Sequence, residues 1–226
     1  MPLPLKPPVL YLITNGETTP ATTPASKTFT QILELIEAAV KADISLIQLR
    51  EKNLNARVLY ELTVQAARLV KDTNTQLLVN DRSDIARSGG ADGVHLASTS
   101  IDAGTIRRIF GPDFLIGVST HSEAEAQAAR DANADFAVYG PIFRTASKQM
   151  YGDPVGTARL RQTVSSVRPF PLLALGGISL ENVEECFRAG AAGIAAISLF
   201  ADPARLGDVV TRIREMFAGP GKDEKR

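Results

Sequence analysis

The sequence predicts an α/β protein, a single-domain (β/α)8 barrel, on three observations. Short apolar runs rich in β-branched residues alternate with longer amphipathic runs along the chain. The alternation occurs eight times, always strand then helix, which favours a closed parallel barrel over an open doubly wound sheet. The length of 226 residues matches the roughly 200–250 that such barrels use as one unit. No GxGxxG follows the first strand, which weakens the open dinucleotide-binding alternative.

The elements read in order as follows. The first strand, Val9–Thr14, is a nearly continuous apolar run, as a strand buried on both faces requires. Asn15–Lys27, rich in Thr, Pro and Ser, reads as a long loop. The first helix covers Phe29–Ala42, with Leu33, Ile36, Ala39 and Val40 forming its apolar stripe. Strand Ser45–Arg50 leads to helix Ala56–Lys71, and strand Gln76–Asp81 to the short helix Ser83–Ser88, followed by Gly89–Gly90. Strand Gly93–Ala97 precedes helix Ile101–Phe110, and strand Phe114–Thr120 precedes helix Glu123–Asn133. Strand Phe136–Phe143 is followed by a polar stretch and helix Gly156–Val167. Strand Pro171–Gly176 precedes helix Leu180–Ala189, with Gly190 as a left-handed cap. Strand Gly193–Leu199 and helix Leu206–Phe217 complete the set. The barrel is expected to span 1–218, with the charged stretch 219–226 as a frayed tail.

Composition excludes several classes. Lys plus Arg equals Asp plus Glu, 25 against 25, so no overall field draws the chain to nucleic acid or a membrane, and anion binding must be local. The single cysteine, Cys186, forms no internal disulfide, builds no metal cluster, and is expected to pack in its helix. No apolar run reaches the roughly 18 residues of a membrane span. The proline-rich N-terminus does not read as a signal peptide. A cytoplasmic protein is expected.

In such a barrel, polar residues at the C-terminal ends of strands line the catalytic mouth. The second strand ends in Gln48-Leu49-Arg50-Glu51-Lys52, the third in Asn80-Asp81-Arg82, and the fifth in Ser119-Thr120-His121. The sixth ends in Gly140-Pro141-Ile142-Phe143-Arg144-Thr145-Ala146-Ser147-Lys148. Arg50, Lys52 and Lys148 form a cationic set around one carboxylate, Asp81. Arg forks match phosphate oxygens and Lys supplies a point charge. A magnesium-bound pyrophosphate needs this combination, with Asp81 as the metal ligand. The alternative is a structural Arg50–Asp81 ion pair at the barrel rim. Gly176–Gly177 after the seventh strand, with Ile197–Ser198 after the eighth, reads as a second anion site built on backbone N–H groups. A glycine pair that merely makes a tight turn is the alternative there. Two anion sites imply two phosphorylated groups, on one small-molecule substrate or on two. His95 reads as a hydrogen-bonded barrel residue, and His121 as a substrate contact or loop anchor.

These residues resemble the thiamine phosphate synthase and thiazole tautomerase (TenI) superfamily over nearly the whole chain. The resemblance is carried by QLREK at Gln48–Lys52, ND at Asn80–Asp81, ADGVHL at Ala91–Leu96 and GVSTH at Gly117–His121. It continues with YGPIFRTASK at Tyr139–Lys148, LGGI at Leu175–Ile178 and GIAAIS at Gly193–Ser198. It implies a TIM barrel that joins an aminopyrimidine methyl pyrophosphate to a thiazole phosphate and releases pyrophosphate with Mg2+. By that resemblance Gln48, Arg50, Lys52, Asn80, Ser119 and Lys148 hold the pyrimidine pyrophosphate. Arg50, Lys52, Ser119 and Lys148 among them are the catalytic set. Asp81 binds magnesium, and Thr145, Ser147, Gly177, Ile197 and Ser198 hold the thiazole phosphate. Homo-oligomerisation stays open.

The chain departs from the synthase pattern after the fourth strand. Ser100 stands where synthases carry a second magnesium-binding Asp, and Asp102 lies two residues further on. Leu96–Ser100 fits the tautomerase-like branch, yet that branch uses a His where this chain has Pro141. Arg144 replaces the usual Pro. Synthase activity is therefore expected, with a thiazole phosphate tautomerase or other paralogue activity, or a non-catalytic binder of thiamine phosphates, as alternatives.

Overall fold

The computed structural model describes residues 6–144 and 154–218. Thr145, Ser147, Lys148 and the tail 219–226 lie outside the described residues. The elements are β1 (Val9–Ile13), α1 (Lys27–Lys41), β2 (Leu46–Leu49), α2 (Ala56–Val70), β3 (Gln76–Asn80), α3 (Ser83–Gly89), β4 (Gly93–Leu96) and α4 (Ala103–Phe110). They continue as β5 (Leu115–Thr120), α5 (Glu123–Asp131), β6 (Phe136–Tyr139), α6 (Gly156–Val167), β7 (Leu172–Leu175), α7 (Val183–Arg188), β8 (Gly193–Ala196) and α8 (Leu206–Ala218). The strands pair in parallel in chain order, and β8 closes on β1 through Val9↔Gly193 to Leu12↔Ala196. The closed barrel expected from strand count is therefore the fold.

Side-chain alternation divides the core in two. Leu10, Leu12, Ile47, Leu49, Leu77, Val79, Val94 and Ile194 face outward and pack under the helices. Val9, Tyr11, Leu46, Leu78, Leu115, Phe136, Leu173 and Ala195 face inward and fill the barrel. The Tyr11 and Phe136 rings meet edge-on, 5.5 Å between centroids. Following the same parity along each strand, the inward positions change from apolar to polar. Leu46 is succeeded by Gln48, Leu78 by Asn80, and Leu115 and Gly117 by Ser119. The apolar inward layer closes the floor, and the polar residues belong to the C-terminal mouth.

Boundaries differ from expectation by three or more residues in three places, one of them β8, which ends at Ala196 rather than Leu199 because Ser198–Phe200 turns into a 3-10 helix. β6 ends at Tyr139 rather than Phe143, because Pro141 has no N–H to extend the ladder. α7 is confined to Val183–Arg188 rather than Leu180–Ala189. Asn182 explains this: its φ of −122° lies outside the helix, and its amide is committed to the preceding loop. Asn15–Lys27 is irregular as expected, apart from Lys27, which opens α1. The segment is nevertheless well packed, since Thr18 and Thr22 are buried. Cys186 is buried, and burial pushes its thiol up to about 12, so it is a packing residue rather than a nucleophile.

The end of the barrel opposite the mouth is locked by Arg107. Its guanidinium donates to the carbonyls of Gly111, Pro112, Phe114 and Asn133 and pairs with Asp135 at 2.7 Å. Asp135 also accepts from Ile116 N. Both side chains are mostly buried, at 17% and 11% exposure. Removing one partner of such a pair strands the other, so Arg107→Ala should lower stability by about 3 kcal/mol. A urea midpoint that falls with an unchanged m-value is the expected result. An unchanged midpoint would mean that the pair is energetically idle.

Candidate active site

The ends of β2, β3 and β4 carry one continuous polar chain. Asp81 follows β3 with φ +59°, a conformation that Asp and Asn tolerate better than most side chains. Its backbone N–H donates to His95 O at 2.9 Å, which ties it to β4. Its Oδ2 accepts from Asn80 Nδ2 at 2.7 Å. A carboxylate only accepts, so the Asn80 amide must turn its nitrogen to Asp81 and its oxygen away. Asn80 Oδ1 accordingly accepts from Gln48 Nε2 at 2.9 Å. This leaves Gln48 Oε1 buried, with no partner among the described residues.

The other carboxylate oxygen of Asp81 organises the loop after β4. Oδ1 accepts from Ala97 N at 3.2 Å and from the Ser100 hydroxyl, and Ser100 Oγ in turn accepts from Ala97 N at 2.8 Å. Ser100 therefore sits against Asp81. Asp102 does not take part. It is the N-cap of α4, and its carboxylate accepts from Thr105 N and Oγ1, which holds its pKa below the usual range. Asp102 is not positioned to replace a missing second ligand.

Ser119 joins from β5, where its Oγ is 2.9 Å from His95 Nε2. His95 is buried in the barrel and so supports Ser119 from below, as the reading of it as a hydrogen-bonded barrel residue anticipated. His121 anchors a loop: its Nδ1 is 2.7 Å from Gly140 O. A carbonyl only accepts, so that nitrogen carries the hydrogen. Arg50 is half-buried at the end of β2 and Lys52 is exposed in the turn beyond it. No Arg50–Asp81 ion pair forms among the described residues, so the structural alternative for these two charges falls away.

On the far side of the mouth, Gly176 and Gly177 have φ +99° and +64°. A side chain on Gly177 would lie 2.4 Å from Arg144 O and 2.8 Å from Phe143 Cβ. Phe143 N donates to Gly176 O at 3.0 Å, and Asn182 Nδ2 donates to Gly177 O at 2.8 Å. The Gly177 carbonyl is thus held, while its amide has no partner among the described residues. Ile197 is half-buried against the inner core, and Ser198 is exposed at the start of a 3-10 turn, Ser198–Phe200. Asn182 and Glu51 were missed in the sequence. An Asn immediately before the run Val183–Arg188 was a usable signal for the first, and the second offered none.

A magnesium ion finds no preformed cage here. No cluster of three or more His, Cys, Asp or Glu groups occurs among the described residues. Mg2+ commonly takes one or two carboxylates and completes its shell with water and phosphate oxygens. Asp81 with the adjacent Ser100 hydroxyl fits that kind of site, shared with a substrate.

Comparison with known proteins bears on the family and the fold. Residues 10–200 match the family described as thiamine monophosphate synthase. A putative thiamine-phosphate synthase of Geobacter sulfurreducens is 44% identical over 173 residues, covering 76% of this chain and 81% of the relative. The thiamine-phosphate synthase of Chlorobium phaeovibrioides is 37% identical over 215 residues, covering 94% and 96%. Among solved structures, the thiamine phosphate pyrophosphorylase of Pyrococcus furiosus superposes with a TM-score of 0.76 at 28% identity, covering 92% of this chain and 95% of that one. No helix among the described residues is long and apolar enough to cross a membrane.

Proposed function

Because the chain belongs to the thiamine monophosphate synthase family, matched over residues 10–200, we propose that it joins an aminopyrimidine methyl pyrophosphate to a thiazole phosphate. The observation that carries this reading is Gln48 Oε1, a buried acceptor without a partner among the described residues. The exocyclic amino group of an aminopyrimidine is the donor it lacks. A thiazole tautomerase has no use for a pyrimidine subsite.

In the reaction, the bond between the pyrimidine methylene carbon and the pyrophosphate oxygen breaks. Pyrophosphate leaves with the electron pair, and the electron-rich ring carries the cation. The thiazole nitrogen then donates its lone pair to the methylene carbon and the C–N bond forms. Arg50, Lys52 and Lys148 hold the departing pyrophosphate, with Asn80 and Ser119 orienting the pyrimidine half beside Gln48. Gly177, Ile197 and Ser198, with Thr145 and Ser147, hold the thiazole phosphate across the mouth. Asp81, assisted by Ser100, would hold Mg2+, which when bound supplies neutralisation of the pyrophosphate charge. No strong base is needed, and rate enhancement comes from positioning and from charge complementary to the leaving group.

The test is pyrophosphate release with both substrates across a magnesium titration. Product above background that requires both substrates supports the reading, and none at any magnesium concentration overturns it. One observation favours the tautomerase reading: Ser100 rather than a carboxylate beside Asp81. Interconversion of thiazole phosphate isomers without pyrimidine would establish it.

Ser100 also yields a prediction. Ser100→Asp would set a second carboxylate against Asp81, where each repels the other until a cation binds. The magnesium concentration for half-maximal rate should fall by about tenfold. No change in that concentration would show that the β4–α4 loop does not contribute to metal binding.

A further inference from the structure

Glu51 is buried, 2% exposed, and the reaction outlined above gives it no role. It is the only fully buried carboxylate among the described residues. No ion pair reaches it among those residues. A buried carboxylate is costly unless it is fully hydrogen-bonded, and among the described residues every hydrogen bond it accepts comes from the segment between β1 and α1. Its Oε1 accepts from Gly16 N at 3.3 Å, and its Oε2 from Thr18 N at 3.4 Å and Thr18 Oγ1 at 2.7 Å. Asn53 adds a bond from the same turn, Nδ2 to Thr18 O at 2.9 Å.

The segment that Glu51 ties down lies against Arg50. A side chain on Gly16 would come 3.2 Å from Arg50 O and 3.5 Å from its Nη1. Arg50 N donates to Thr14 Oγ1 at 2.9 Å, one step earlier on the same stretch of chain. The backbone of Arg50 is therefore held by Thr14, while its guanidinium lies beside Gly16. Hydrogen bonds to a carboxylate are stronger than those to a neutral acceptor, which suits a tether that must keep an irregular segment in one place.

We propose that Glu51 is a positioning residue for anion capture: by tying Gly16 and Thr18 to the end of β2, it holds the β1–α1 segment as a wall that fixes the Arg50 guanidinium for the substrate pyrophosphate. The synthase reading supplies only the identity of the anion, and Glu51 acts through Arg50 rather than on the reacting atoms. Glu51→Gln keeps the size of the side chain but turns an N–H2 group toward one of the donors it replaces. Thr18→Val attacks the same tether from the other side and leaves Glu51 in place.

The experiment measures binding of Mg2+ and inorganic pyrophosphate by calorimetry, with amide hydrogen exchange over residues 15–24. Glu51→Gln should weaken pyrophosphate binding by about tenfold and Thr18→Val by less. Exchange over the segment should rise in both. In turnover, KM for the pyrimidine pyrophosphate should rise while KM for the thiazole phosphate stays within about twofold, a split that general loosening of the fold would not produce. In an Arg50→Ala background the effect of Glu51→Gln on pyrophosphate binding should disappear, because the two act as one unit. Additive effects, unchanged binding in both variants, or no pyrophosphate binding by the unaltered protein would each overturn the proposal. If the tether effect on binding appears but the unaltered protein makes no product, Glu51 keeps this role and the synthase reading fails.

Discussion

Asp81→Asn should lower kcat/KM for product formation by about 10^2 to 10^3-fold while shifting the melting temperature little. The substitution separates charge from shape. Asn tolerates the φ of +59° that Asp81 adopts, and its oxygen can still accept from Asn80 Nδ2, so the chain from Gln48 to position 81 keeps its order. The negative charge is lost, and with it one acceptor: the new Nδ2 faces Ala97 N and Ser100, where Ser100 Oγ still accepts from Ala97 N and can turn to accept from the amide. If Asp81 holds magnesium for the leaving pyrophosphate, the loss falls on the rate and on the magnesium requirement together. The check is pyrophosphate release at several magnesium concentrations, alongside thermal unfolding. Activity within about fivefold of the unaltered protein would remove Asp81 from the metal site, since a lost charge there should cost far more.

Gly177→Ala should be damaging in a different way. The position has φ +64°, and a Cβ would fall 2.4 Å from Arg144 O, a backbone atom that cannot swing aside. Left-handed strain and overpacking together should lower stability by about 2–4 kcal/mol. Moving the loop by a fraction of an ångström should also raise KM for the thiazole phosphate by about 100-fold. KM for the pyrimidine pyrophosphate should change much less, because the residues proposed for that subsite among the described ones lie on or after β2, β3 and β5. Gly207→Ala is the control: a Cβ there meets nothing within 4 Å, so both stability and kinetics should be kept. Equal effects on both substrates would mean that Gly177 serves the fold and not the phosphate.

These two predictions rest on different kinds of legibility. The barrel could be read directly, because eight apolar runs of strand length separated by amphipathic runs have few other ways to bury themselves. Gln48, Arg50, Asn80, Asp81 and Ser119 could be nominated because polar side chains that end apolar strands in a barrel have only the mouth to occupy. The glycine pair was visible for the same reason at β7.

Other features depended on contacts between segments far apart in the chain. Strand alternation along β2 and β3 determined that Gln48 and Asn80 face inward, but only the register of the closed barrel decided that their amides meet and leave Gln48 Oε1 buried without a partner among the described residues. The sequence located Asp102 close to Ser100, and only the structure committed it to capping α4. Glu51 lay inside a motif already noted, yet its role was invisible, because its partners Gly16 and Thr18 are more than thirty residues away. Periodicity is a local property and fixes which face a residue takes. Hydrogen-bond partners across a barrel depend on how the strands are staggered and on where an irregular loop is held, and those are decided only when the whole sheet closes.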